Sequence, residues 1–330
     1  MLVMTSVKIT ASAGYLPERI VTNDELSQIM DTSDEWIVAH TGIKERRFAL
    51  NENTSDLATK VAEKLLKQAD LSADQIDLII VSTITPDALT PATAAIVQKN
   101  IKATNAFAYD LSAACAGFLF ALSTAEKFVK SGQYRRALVI SAENNSKVLD
   151  FKDRTSAVFF GDGASGVILE ATDDQSENAY LTEKLCTRGD KDVIHSGRVA
   201  PIETISGDNY PQMDAFYQNG RAVFEFVTND VTKHIDEFLA ENNVKPEELD
   251  LVITHQANLR LIEHIAEHIG LSLDRFQINV TEAGNTTSVG IPLALSQALE
   301  QGKRPQKLLL VGFGAGLAYG CVLLDLSKFN

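Results

Sequence analysis

A chain of 330 residues, 45% hydrophobic and 22% charged, can bury a large core and has the composition of a globular protein of one large or two medium units. Its net charge of −14 argues against general nucleic-acid binding, which needs a basic face to displace counterions. Three cysteines suit a reducing compartment rather than a disulfide framework, and the start MLVMTSVKIT has neither the basic region nor the apolar run of a secretory signal.

No window approaches the roughly 18 apolar residues of a membrane span, so a cytoplasmic protein without a membrane partner is expected. An acidic partner would need a local basic patch, for which Lys44-Glu45-Arg46-Arg47, Tyr134-Arg135-Arg136 and Arg260 are the candidates. Each cluster taken alone also reads as solvated surface charge.

In chain order, Thr32-x-x-Glu35 before Trp36 predicts a capping box opening a short helix. Residues 78–81 (LIIV) read as a strand buried on both faces, and residues 106–111 as a further strand. Residues 115–130 read as a helix apolar almost all round (Phe118, Leu119, Phe120, Leu122, Phe128), hence a buried one. A strand at 137–140 follows. The polar run Thr172-Asp173-Asp174-Gln175-Ser176-Glu177-Asn178 divides the chain into halves, 1–172 and 173–330. The second half repeats the scheme: a strand at 251–254, a strand-like stretch at 276–280, a helix at 287–300, and strand-like runs at 308–311 and 317–326. Strands alternating with helices imply a largely parallel sheet covered by helices.

The halves are also similar in detail. AEKLLKQADLSADQIDLIIV (62–81) matches IDEFLAENNVKPEELDLVIT (235–254) without a gap. CAGFLFALSTAEKFVKSGQYRRALVI (115–140) matches NTTSVGIPLALSQALEQGKRPQKLLL (285–310), which sets Gly132 on Gly302 and Cys115 on Asn285. GASGVILE (163–170) echoes LAYGCVLLD (317–325).

Cys115 follows a strand through small residues, with Gly117 just beyond, so a sharp turn can present its thiol at a helix start. There the helix dipole favours the thiolate, the nucleophilic form. His255 ends the strand 251–254, and strand carboxyl ends are where ligands gather in open α/β sheets. Asn285, in Gly284-Asn285-Thr286, stands before the second helix. A pseudo-twofold sheet could bring all three together.

Gly312-Phe313-Gly314-Ala315-Gly316 is not a dinucleotide loop, because a strand follows it and no acidic residue stands about 20 positions on. A glycine-rich turn there could instead aim a backbone N–H at an oxyanion. His264 and His268 have chelating spacing but no third ligand, so no metal is expected. His195 and His234 read as surface residues, Cys321 as a buried structural thiol, and Cys186 has no context.

Ala113-Ala114-Cys115-Ala116-Gly117, His255-Gln256-Ala257-Asn258-Leu259-Arg260, Gly284-Asn285-Thr286 and the terminal Gly-Phe-Gly-x-Gly resemble β-ketoacyl-acyl carrier protein synthase III of bacterial fatty-acid synthesis. Thr32-Ser33-Asp34-Glu35-Trp36 and Phe160-Gly161-Asp162-Gly163-Ala164 match as well, and the resemblance spans essentially the whole chain. It implies the thiolase fold: two pseudo-symmetric βαβαβαββ halves in a five-layered αβαβα core, the first with the cysteine, the second with the histidine and asparagine. It implies a homodimer that condenses an acyl-coenzyme A primer, acetyl-coenzyme A first among candidates, with malonyl-acyl carrier protein, using no cofactor because the coenzyme A thioester is a substrate.

Carried over by the resemblance, Cys115 takes the acyl group, and His255 and Asn285 donate hydrogen bonds to the malonyl thioester carbonyl. The backbone N–H groups of Cys115 and Ala315 form the oxyanion hole, and Phe313 keeps the site dry. Trp36 and Arg154 hold the adenine of coenzyme A, Asn258 contacts pantetheine, and Arg260 contacts the carrier protein. Thr90 matches the position that crosses the dimer interface to close the acyl pocket; its small side chain implies primers longer than acetyl, unless Leu89 or a neighbour fills the space.

The chain departs from the family pattern in several places. His40 stands for a common arginine, Thr155 for a common glycine and Glu225 for a lysine of some members, while Ala315 interrupts the usual glycine run and restricts its backbone. A degradative thiolase would need a second catalytic cysteine where Ala315 stands, and Asn285 excludes the two-histidine set of elongating synthases. Retention of Cys115, His255 and Asn285 together speaks against a non-enzymatic scaffold.

Overall fold

Successive residues of the predicted strands face two different helical layers, which is why these strands are apolar on both faces. The computed structural model describes residues 5–197, 201, 205–207 and 213–329, so the first four residues of the amino-terminal segment lie outside the described residues. The first half carries β1 (Ser6–Tyr15), a ribbon of β2 (Arg19–Thr22) and β3 (Glu45–Phe48), then β4 (Leu78–Ser82), β5 (Phe107–Leu111), β6 (Arg136–Glu143) and β7 (Gly163–Thr172). Its helices are α1 (Asn23–Ser27), α2 (Asp34–Thr41), α3 (Thr54–Gln68), α4 (Thr93–Ile101) and α5 (Gly117–Lys130). The second half carries β8 (Tyr180–Asp190), a ribbon of β9 (Ile194–His195) and β10 (Tyr217–Gln218), β11 (Leu251–Thr254), β12 (Leu308–Gly314) and β13 (Gly316–Leu324). Its helices are α6 (Gly220–Glu225), α7 (Thr232–Glu241), α8 (Leu259–His268), α9 (Val280–Ala283) and α10 (Gly290–Glu300).

One sheet runs β1-β7-β6-β4-β5 and the other β11-β12-β13-β8. Leu78 and Ile80 of β4, with Leu251 and Ile253 of β11, pack on α5 and α10 (Phe118, Leu122, Ile291, Leu295) between the sheets. Ile79 and Val81 face α3 and α4 on one outer side, and Val252 faces α7 and α8 on the other. The result is five layers, αβαβα.

The sheets are mixed rather than largely parallel. β4 pairs in parallel with β5 and β6, but β7 is antiparallel to both β6 and β1, and β12, β13 and β8 repeat this pattern beside the parallel pair β11–β12. Each half ends in two consecutive strands with no α-helix between them, and each pair returns antiparallel. The strand-like stretch 276–280 shrinks to a single bridge between Phe276 and Val252, because Val280 already opens α9. The cap of α2 is Ser33, whose Oγ accepts from the Trp36 N–H at 3.2 Å; the box predicted from Thr32 to Glu35 does not form, because the cap falls one residue later and puts Trp36 at its third position.

The repeat holds, but its register at the second helix differs from the gapless match. α5 has 14 residues and α10 has 11, so matching their carboxyl ends at Gly132 and Gly302 leaves their starts three residues apart. Left-handed Ala114 (φ 47°), a 3-10 turn and Gly117 correspond to left-handed Thr287 (φ 52°), a 3-10 turn and Gly290. The counterpart of Cys115 is therefore Ser288, not Asn285. Each turn reaches into the other half, 114–116 lying on β12 and 287–289 on β6.

The arginines of two basic clusters prove to be internal or paired, while Lys44 is exposed. Arg46 is fully buried and donates to Val158 O and Asn23 Oδ1, both at 2.8 Å; burial pulls its pKa down to about 10. Arg136 pairs with Glu170 at 2.8 Å, with Arg135 at 3.6 Å from the same carboxylate.

Candidate active site

Cys115 stands on the left-handed turn after β5, and its surroundings admit no extra atoms. A Cβ on Gly117 would lie 2.1 Å from Ser82 Oγ, so glycine lets the start of α5 press on the end of β4. A Cβ on Gly314 would lie 2.7 Å from the Cys115 Cβ and 3.2 Å from its Sγ. Part of Cys115 faces a cavity, yet the sulfur is enclosed by protein; burial first, then the charge of Glu143, pushes its pKa up to about 12. The thiolate expected from a helix start is thus opposed by desolvation, the larger effect here.

His255 follows β11, its backbone N–H bound to Val311 O at 2.7 Å and its ring edge-on to Phe313 at 5.1 Å. Burial pushes its pKa down to about 3, so the imidazole is neutral at ordinary pH. Its Nδ1 is buried without a hydrogen-bond partner among the described residues. Asn285 is clamped by the backbone on both sides of Phe160: its N–H donates to Phe159 O at 2.8 Å and its C=O accepts from the Gly161 N–H at 3.1 Å. The Asn285 Oδ1 accepts from the Thr287 N–H at 2.9 Å, which commits the oxygen and leaves Nδ2, a donor, as the end available to a ligand.

Cys115, His255, Asn285, Phe313 and Ala315 line one cavity of about 470 Å³. A second cavity of about 210 Å³, lined by Asn258 and Phe224, shares Gln218, Val223, Ala257 and Asn285 with the first. Three side chains far apart in sequence, one thiol and two hydrogen-bonding groups, thus converge on a largely apolar chamber.

Two family models match the chain, 3-oxoacyl-[acyl-carrier-protein] synthase III over residues 109–189 and its C-terminal counterpart over residues 239–326. Beta-ketoacyl-[acyl-carrier-protein] synthase III 1 of Lactiplantibacillus plantarum is 57% identical, over 97% of this chain and 99% of that one. The synthase III of Streptococcus mutans is 47% identical, over 98% and 100%. This chain belongs to the 3-oxoacyl-[acyl-carrier-protein] synthase III family. The crystal structure of the synthase III from Aquifex aeolicus aligns at a TM-score of 0.89 with 38% identity, covering 97% of this chain and 99% of that one, and the fold is the thiolase fold.

At the outer positions this synthase III chain is more closed than its sequence implies. Arg154 lies over the Trp36 ring at 5.7 Å and donates to Asp31 O at 2.7 Å, while His40 stacks on Trp36 at 4.3 Å. A ring held between two groups needs roughly 7 Å, two contact distances, so adenine would have to part Trp36 and Arg154. Asn258 caps α8, its Oδ1 accepting from the Leu261 N–H at 3.1 Å. Arg260 is exposed but pairs with Glu263 at 2.9 Å and donates to Ala39 O at 3.1 Å. Glu225 is held by Arg221 at 2.9 Å. Thr90 is exposed and is not in the cavity wall of its own chain. The left-handed backbone of the terminal loop belongs to Gly316 (φ 138°), which is why alanine is accommodated at 315.

Some residues were misread in the sequence. His195 is half-buried in the wall of the main cavity and stacks on Tyr217 at 5.0 Å, whereas His234 is buried, with its Nε2 3.0 Å from Lys184 O, and is not a surface residue. Cys186 gains a context, its Sγ 3.9 Å from His234 Nδ1. His268 pairs with Asp236 at 2.9 Å and His264 packs on Phe224. Glu143 and Ser288 went unremarked. The one available signal was an acidic residue closing the apolar run Ala137-Leu138-Val139-Ile140-Ser141-Ala142-Glu143.

Proposed function

We propose that this acyltransferase joins an acyl-coenzyme A primer, acetyl-coenzyme A among them, to malonyl-acyl carrier protein, giving 3-ketoacyl-acyl carrier protein, carbon dioxide and coenzyme A as the first condensation of fatty-acid synthesis. The observation carrying this reading is the convergence of Cys115, His255 and Asn285 on one chamber within a synthase III chain. The Cys115 sulfur attacks the primer thioester, its proton leaves with coenzyme A, and a thioester remains on the enzyme. Loss of carbon dioxide from the malonyl group then generates an enolate, whose carbon attacks that thioester and expels the Cys115 thiolate, which takes a proton from solvent.

Neutral His255 and the Nδ2 end of Asn285 donate to the malonyl thioester oxygen as charge develops there. The N–H groups of Cys115 and Ala315 receive the oxyanion of acyl transfer. Phe313, 2% exposed and against His255, keeps water from the enolate. Trp36 and Arg154 serve the adenine, Asn258 the pantetheine and Arg260 the carrier protein, with no cofactor involved.

A homodimer fits β5, the outer strand of its sheet, which carries exposed Phe107 with half-buried Tyr109 and Leu111. Thr90 would then reach the partner's acyl chamber. No helix among the described residues is long and apolar enough to cross a membrane, and a cytoplasmic location suits the free thiols. Incubation with radiolabelled acetyl-coenzyme A should leave label on Cys115, and malonyl-acyl carrier protein should then chase it into 3-ketoacyl product. Label that never reaches Cys115, or that malonyl-acyl carrier protein cannot remove, would refute this function.

A further inference from the structure

Glu143 is a completely buried carboxylate at the end of β6, and the chemistry proposed above makes no use of it. It receives donors from both halves. Thr85 Oγ1 donates at 2.7 Å, Thr83 Oγ1 at 3.2 Å and the Ile84 N–H at 3.1 Å, all from the loop after β4. From the other half, Ser288 Oγ donates at 2.7 Å, while the neighbouring Thr287 hydroxyl donates to Thr286 O at 2.8 Å. Burial raises its pKa while these donors oppose the rise.

Ser288, the residue it grips there, lies in the turn that orients Asn285. Thr287 holds a left-handed φ of 52°, unfavourable for a β-branched residue, and in that conformation its N–H points at Asn285 Oδ1, 2.9 Å away. That bond decides which end of the Asn285 amide faces the cavity. A strained turn persists only where its surroundings over-determine it, and here the bond from Ser288 to the buried Glu143 carboxylate is one of the restraints.

We propose that Glu143 is a positioning residue for the condensation step, holding the Thr287–Ser288 turn so that Asn285 presents Nδ2 to the malonyl thioester. The proposal rests on the role of Asn285 given above. Because the same carboxylate opposes ionisation of Cys115, removing it has opposite consequences for the two half-reactions. Condensation slows as Asn285 loses its aim, whereas acyl transfer is unchanged or faster. Damage to the core would slow both.

The test measures acyl transfer from acetyl-coenzyme A and condensation with malonyl-acyl carrier protein separately, by rapid quench, in Glu143→Ala, Glu143→Gln, Ser288→Ala, Asn285→Ala and the double variant Glu143→Ala/Asn285→Ala. A misplacement of about 1 Å can slow a reaction about 100-fold, so Glu143→Ala should slow condensation about 10- to 100-fold with acyl transfer at or above the native rate. Ser288→Ala should show the same asymmetry at smaller size. Glu143→Gln should recover condensation to within about 5-fold, since Ser288 can accept from the new amide as well as donate.

In the Asn285→Ala background Glu143→Ala should add almost nothing, the signature of one residue acting through another. A full further loss in the double variant overturns the positioning role while leaving that of Asn285 intact. Unimpaired condensation in Asn285→Ala alone overturns the role of Asn285 and this inference with it. Parallel loss of both half-reactions in Glu143→Gln and Ser288→Ala also overturns it, and these two variants decide the matter if Glu143→Ala does not fold.

Discussion

The turns at 114–117 and 287–290 share a backbone and differ in what stands opposite them. Leu78 pairs with Ala137 and Leu251 with Leu308, so Glu143 in β6 occupies the place that Gly314 occupies in β12. Cys115 therefore faces a glycine and Ser288 faces a carboxylate. On one side the backbone opposite the turn carries no side chain, so the turn packs directly against it at the wall of the cavity. On the other side the place opposite the turn is filled by a hydrogen-bonded pair that fixes the turn in place. One ancestral-looking unit thus gives a half that packs a reactive atom against bare backbone and a half that holds a donor still.

The sharpest way to break this contrast is to put a side chain on the bare side. Gly314→Ala places a Cβ 2.7 Å from the Cys115 Cβ, closer than such atoms approach, and overpacking of this kind costs about 1–3 kcal/mol. Acyl transfer should fall about 100-fold, by the misplacement argument, while decarboxylation of malonyl-acyl carrier protein falls far less. Stopped-flow release of coenzyme A reads the first and carbon dioxide release the second.

The contrast also predicts opposite responses to pH. Burial disfavours the charged form of each group, raising the Cys115 thiol to about 12 and lowering His255 to about 3. Alkylation of Cys115 by iodoacetamide, followed by mass spectrometry, should rise about tenfold per pH unit through pH 10, where a thiol at the ordinary value of 9.0 would level off. The condensation rate should show no inflection from His255 between pH 5 and 8, because the imidazole is neutral throughout that window.

Smaller effects are expected away from the two turns. Arg260 is already paired with Glu263, so Arg260→Glu should raise the Michaelis constant for malonyl-acyl carrier protein only about 5-fold, within the worth of exposed ion pairs, and leave that for acetyl-coenzyme A unchanged. Thr90→Phe should narrow primer choice most modestly, lowering turnover of hexanoyl- relative to acetyl-coenzyme A about 3-fold; each methylene buried in an apolar pocket is worth about 0.8 kcal/mol. Relative kcat/KM over acetyl-, butyryl- and hexanoyl-coenzyme A measures it.

Much of the fold was legible because its strands are buried on both faces and its middle helices on all sides, which leaves continuous apolar runs such as 78–81 and 308–311. The duplication was legible for the same reason. Its register at Cys115 was not, since a gapless comparison is governed by the long apolar face and the glycine after each helix, and α10 lost three residues at its other end. Cys115, His255 and Asn285 could be named because each sits at an element boundary. Arg46, His234 and Glu143 could not, because a charged or polar residue reads as surface until the partners that bury it are known. Whether two opposing turns meet is a tertiary fact with no local signature.

The central claim is that the half bearing Cys115 transfers the acyl group and the half bearing Asn285 and His255 makes the carbon nucleophile. Rapid-quench measurement of both half-reactions in Cys115→Ala and Asn285→Ala tests it most directly. Cys115→Ala should form no acyl-enzyme. Asn285→Ala should acylate near the native rate and lose condensation about 10²- to 10³-fold, the usual effect of removing one donor to a developing oxyanion. Equal loss of acylation in the two variants would contradict the division.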